Sequence, residues 1–108
     1  MYVYEGTGYC LMIDDEEMED DVIATYNELT GAEVADLYEI DDMMELGDFC
    51  SVDNIDYVNF NGRNYSPSIG VFVLRDGYDG VETMRNLLLE LGEDPNMFRG
   101  NFTVSCWE

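Results

Sequence analysis

Asp56-Tyr57-Val58-Asn59-Phe60-Asn61-Gly62-Arg63-Asn64-Tyr65 alternates apolar and polar residues into an Asn-Gly pair and out again. A period of two marks a pleated strand, and Asn-Gly supplies the two positive φ angles of a type I′ turn. The stretch therefore predicts a β-hairpin, and with it an antiparallel sheet. Downstream, Ile69 to Arg75 is a short apolar run with the length of a central strand. Asp76-Gly77 and Asp79-Gly80 are turns, and Asp79 to Glu82 has the form of a helix cap. Val81, Met84, Leu88 and Leu91 line one face of a helix that Gly92 ends. Asp94-Pro95 starts one further turn, and Asn101 to Trp107 alternates as a closing strand.

Upstream of the hairpin, Tyr9 to Ile13 reads as a buried strand paired with Tyr2–Glu5 across Gly6-Thr7-Gly8. Asp14 or Asp15 caps a helix running to about Leu29, with Met18, Val22, Tyr26 and Leu29 as its apolar stripe. Thr30-Gly31-Ala32-Glu33 matches a capping box, and Val34, Leu37, Tyr38 and Ile40 form the buried side of the segment it opens. Asp41 to Gly47 reads as a short third helix, while Asp36–Ile40 fits a helix or a strand. The order of elements predicts one α+β domain, an antiparallel sheet of about 4–5 strands covered on one side by roughly 2–4 helices.

The charge is extreme. The 108 residues carry 25 acidic side chains against 4 basic ones and no histidine, a net charge of −21. Hydrophobic residues make up 46 %, which is too many for a solvated acidic tail, so the charge sits on a folded domain. Such a surface repels nucleic acid and anionic lipid and attracts basic protein. Cys10, Cys50 and Cys106 are odd in number and widely spaced, the pattern of reduced thiols in a cytoplasmic protein. The N-terminus has no basic n-region and the chain no apolar run near the roughly 20 residues of a membrane span. A cytoplasmic location is expected.

The acids are unevenly placed. From Met1 to Gly62 there are 18 of them and no base, whereas the remainder holds 7 acids and all 4 arginines. Asp14, Asp15, Glu16, Glu17, Glu19, Asp20 and Asp21 form the densest run, followed by Glu28, Glu33, Asp36, Glu39, Asp41, Asp42 and Glu45. These fourteen are the candidate partner-binding residues. At 100° per residue, Glu16, Glu17, Glu19, Asp20, Asp21 and Glu28 lie opposite the apolar stripe, so the run is an outward helix face. Its bland reading is a solvated face. Two carboxylates about 7 Å apart in water nevertheless repel by roughly 0.6 kcal/mol, and solubility needs only a net charge of about 2–8. Tyr2, Tyr4, Tyr9, Tyr26 and Tyr38 share this part of the chain, and tyrosine among acids suits contact with arginine-rich protein.

Other chemistries find little support. With no histidine, lysine or G-x-S-x-G elbow, an enzyme is not expected. No EF-hand loop is present, and no metal or cofactor is expected. The sequon at Asn101-Phe102-Thr103 has no secretory context.

In size and composition the chain resembles the small acidic DNA mimics of phages and mobile elements, the anti-CRISPR and anti-restriction proteins. Gly47-Asp48-Phe49 followed by Asp56-Tyr57-Val58-Asn59-Phe60-Asn61-Gly62 is also similar to a stretch in acidic phage and Firmicute proteins. The first resemblance implies an inhibitor that occupies a basic surface of an RNA-guided CRISPR nuclease or a restriction enzyme. Duplex DNA carries one charge per roughly 1.7 Å, so 18 carboxylates match about 9 base pairs. The alternatives are an immunity or antitoxin-like protein that neutralises a basic nuclease, and an acidic housekeeping domain.

Overall fold

A computed structural model describes residues 1–107. In chain order the elements are β1 (Tyr2–Ile13), α1 (Glu16–Thr30), α2 (Leu37–Met43), β2 (Asp48–Ser51), β3 (Ile55–Phe60), β4 (Arg63–Tyr65), β5 (Gly70–Arg75), α3 (Val81–Glu90) and β6 (Arg99–Cys106). Single 3₁₀ turns precede β3 and β6. The six strands form one antiparallel sheet in the order β2-β5-β1-β6-β3-β4. This is the α+β class; β2 is a strand that the sequence pattern does not mark, and the two N-terminal strands expected from it are one.

The hairpin forms as expected. Asn61 (φ 52°) and Gly62 (φ 83°) make the turn, and Val58 lies opposite Tyr65. The N-terminal hairpin does not form. Residues 2–13 are one continuous strand, and Gly6-Thr7-Gly8 lies inside it. The strand changes partner there: Tyr2 to Tyr9 pair with β6 and Gly8 to Ile13 pair with β5. Gly6 (φ 153°) is needed because a β-carbon would strike the Arg75 side chain, not because the chain reverses.

The helices are shifted from expectation at their caps. Asp15 caps α1, its side chain accepting from the Met18 N–H at 2.8 Å. Gly31 (φ 74°) ends α1, so Thr30 closes this helix instead of opening the next, and its hydroxyl bonds the Tyr26 carbonyl. The box is rebuilt downstream: Asp36 accepts from the Glu39 N–H, and the Glu39 carboxylate accepts from the Ala35 N–H. Residues 37–43 are one helix, neither a strand nor two helices. Tyr38 and Leu29, assigned above to buried stripes, are 55 % and 40 % exposed. α3 begins at Gly80 without a side-chain cap.

The sheet buries both faces. On one, Tyr9, Leu11 and Ile13 of β1 and Phe72 and Leu74 of β5 pack under Val22 and Tyr26 of α1, Leu37 and Ile40 of α2, and Met84, Leu87 and Leu88 of α3. The helices cover only this β1–β5–β2 half. Over β6, β3 and β4 the same face is polar, with Thr7 bonded to Asn101 and Asn59 to Asn64. The opposite face has no helix. There Cys10, Cys50, Val58, Phe60, Val71, Val73, Phe102, Val104 and Cys106 form a second core. Cys50 of β2 and Cys106 of β6 share this core although two strands separate them in the sheet, and residues of β2, β5, β1 and β6 all line one cleft at its end. A flat sheet would hold strands three positions apart at about 14 Å, so this one is strongly coiled around the second core.

Candidate partner-binding surface

All fourteen predicted acids lie on α1, α2 or the chain flanking them, and the structure divides them into two groups. Five serve the fold. Asp15, Asp36 and Glu39 make the cap bonds described above. Asp41 accepts from the Phe49 N–H at 2.7 Å, tying α2 to β2. Glu45 accepts from the buried Tyr26 hydroxyl at 2.9 Å.

The other nine are Asp14, Glu16, Glu17, Glu19, Asp20, Asp21, Glu28, Glu33 and Asp42. None makes a side-chain hydrogen bond or ion pair among the described residues, and all but Glu19 are exposed. Glu19, expected on the outward face, is half-buried instead, because seven residues at 100° each put it only about 20° from the buried Tyr26. Glu16 and Glu28 are twelve residues apart on α1, about 18 Å at 1.5 Å per residue. The molecule itself measures 33 × 26 × 22 Å, so the unpaired carboxylates run along much of one side. Glu19 and Asp36 meet at a shallow cleft between the starts of α1 and α2, beside Tyr38 and Phe49. That cleft joins the two acidic segments of the sequence into one surface. The Tyr38 ring packs edge-on against Phe49 with its centroid 5.4 Å away, and 55 % of the residue stays exposed. Of the other tyrosines in the acidic portion, Tyr26 and Tyr9 are buried in the helix-covered core.

The arginines do not neutralise this side. Arg99 pairs with Asp76 at 2.6 Å and lies over the Tyr9 ring. Arg75 lies over Tyr78, and neither it nor Arg63 nor Arg85 forms an ion pair among the described residues. No three His, Cys, Asp or Glu side chains among these residues converge to hold a metal ion. No helix is long and apolar enough to cross a membrane.

One feature escaped sequence reasoning. A cleft of about 320 Å³ opens at the end of the second core, lined by Tyr4, Asp48, Val73, Arg75, Tyr78 and Phe102, among others. Burial raises the Asp48 carboxyl above its ordinary value, nearby Asp41 adds to the rise, and Arg75 opposes it. Burial and Asp48 push the Tyr4 hydroxyl up to about 12. No local motif marks this cleft, since β1, β2, β5, β6 and the loop before α3 each contribute. No family model, curated protein or solved structure matches the chain.

Proposed function

We propose that this protein binds a basic nucleic-acid-binding protein through the α1–α2 surface and occupies the site that nucleic-acid phosphates would fill. In this reading it is a phage-type inhibitor of a host defence nuclease, of the anti-CRISPR or anti-restriction kind, and it catalyses nothing. One observation carries the reading. Nine carboxylates stand unpaired along α1 and α2, while the polar interior has its partners. Repulsion among them opposes folding, and a fold that needed only its caps and ties would keep five of the fourteen.

Rigid helices suit the role. A folded protein presents its charges without the condensed counterions of DNA, so its affinity falls less steeply with salt than that of the duplex it displaces. Tyr38 adds an aromatic contact beside the acidic cleft for a partner arginine.

The test is competition. The protein is used to capture its partner from a host lysate, and the purified partner is titrated with it at several salt concentrations, with and without nucleic-acid substrate. Mutually exclusive binding is expected. A ternary complex with undiminished nucleic-acid affinity overturns the reading. Capture of a dedicated nuclease toxin encoded beside this chain, with the same competition, moves it to the immunity class.

A further inference from the structure

The cleft at the mouth of the coiled sheet abuts the end of α2 through Met44 and Gly47 and has its own chemistry. Asp48 and Arg75 reach it from β2 and β5, on the same sheet face as Val73. The Asp48 carboxylate is half-buried, and among the described residues it has neither a hydrogen bond nor an ion pair. The neighbouring cation, Arg75, acts on it only through space and forms no hydrogen bond or ion pair with it. The Arg75 guanidinium lies 5.5 Å from the Tyr78 ring centroid, and its Nη2 stands 3.5 Å from the Tyr78 hydroxyl. A carboxylate partly withdrawn from water and left without a donor is unfavourable, and the favourable remedy is a cation with directed N–H groups. Tyr4 and Phe102 supply ring surface and Val73 apolar wall. At about 320 Å³ the cleft sits at the small end of ligand sites, suited to one long side chain.

We propose that this cleft receives an arginine side chain of the protein partner, the guanidinium on Asp48 and the stem along Val73 and Phe102. Arginine fits better than lysine, because a planar fork meets a carboxylate through two bonds and stacks on tyrosine. The proposal rests on the partner being a basic protein. It adds a contact outside α1 and α2, where a buried anchor supplies residence time and the surface charges supply association rate.

The test needs no partner. ¹⁵N-labelled protein is titrated with N-acetyl-arginine amide, and in parallel with N-acetyl-citrulline amide, which has nearly the same shape and no charge. Sodium chloride at about 0.3 M shortens the screening length and suppresses diffuse attraction to the helices. Saturable shifts at the amides of Tyr4, Asp48, Val73 and Phe102 are expected with the arginine compound. Citrulline, and arginine with the Asp48→Asn variant, should bind at least about tenfold more weakly. Thermal melting of the variant verifies its fold. Shifts confined to α1 and α2, equal titration by citrulline, or titration unchanged in Asp48→Asn would each overturn the proposal. Its failure leaves the competition experiment untouched. A ternary complex there, with the arginine titration intact, removes phosphate mimicry and leaves a cationic side-chain site.

Discussion

The Tyr26 hydroxyl donates a 2.9 Å hydrogen bond to Glu45 Oε2, joining the C-terminal half of the acidic helix to the segment that leads into edge strand β2. Tyr26 is fully buried, whereas Glu45 is exposed. Tyr26→Phe keeps the ring packing and removes only the bond. The expected loss is about 1 kcal/mol, since a charged acceptor strengthens the bond and solvent at Glu45 weakens it. Chemical denaturation of the variant measures this, and Glu45→Gln, which retains an acceptor, should lose less.

Alkaline pH should unfold the protein. Burial and the Glu45 bond push the Tyr26 hydroxyl up to about 12, and Tyr4 rises to about 12 from an ordinary value of 10.0. The Cys10 thiol rises from 9.0 to about 12 through burial, and burial lifts Cys50 and Cys106 as well. Folded values above the unfolded ones mean that the folded state favours the protonated forms. The stability they contribute is complete below the unfolded values of 9.0 and 10.0, and is lost as pH rises through about 12. Melting temperature followed from pH 8 to 12 should fall across this window, and Tyr26→Phe should flatten the fall.

Salt should act on folding and on binding with opposite signs. The net charge is −21, and one ion pair, Arg99 to Asp76, exists among the described residues. Screening therefore relieves more repulsion than it removes attraction. Melting temperature should rise between about 0.05 and 0.5 M sodium chloride, while affinity for the partner falls. A melting temperature that drops over the same range would contradict the unpaired state of the α1–α2 carboxylates.

Caps and free carboxylates should separate in mutants. Asp15→Ala removes a cap and should cost about 1 kcal/mol of stability with little change in partner affinity. Reversal of Glu16, Glu17, Asp20 and Asp21 together should weaken the partner far more than reversal of Glu90, Glu93 and Asp94. Single changes should do little, because exposed charges mainly tune association rate. Equal losses from the two multiple variants would place the interface elsewhere.

The thiols should be inert in the native protein. Cys10, Cys50 and Cys106 are free and no more than 5 % exposed, and burial holds each in its protonated form. A disulfide reagent at pH 8 should find no fast-reacting thiol until denaturant is added, and then three. Fast labelling of Cys50 or Cys106 in the native state would mean that edge strand β2 opens readily.

Local chemistry was legible where a short stretch decides its own conformation. The Asn61-Gly62 turn, the acidic N-terminal half of α1 and the Gly92 stop need only near neighbours in the chain, and each was read from its residues. Sequence alone puts the α2 cap at Thr30 rather than Asp36, because both residues suit an N-cap. The choice fell to the left-handed Gly31 and to the Asn27 side chain, which holds both polar backbone groups of Val34. Glycines inside β1 look like a turn because sequence shows a missing side chain but not what requires its absence, the Arg75 stem at Gly6 and the backbone of Leu74 and Arg75 at Gly8.

Sequence alone determined the fold class and the outward placement of the acidic helix face, since periodicity and charge act through adjacent residues. Tertiary structure decided which carboxylates are free. Asp41 and Glu45 meet their partners Phe49 and Tyr26 only after α2 docks between α1 and β2. It also decided that the second sheet face is a core and that its mouth is a cleft with Asp48 at the edge. Strand twist accumulated over β2, β5, β1 and β6 brings Cys50 and Cys106 into one core and Asp48 toward Tyr4, residues more than forty positions apart that no local pattern connects.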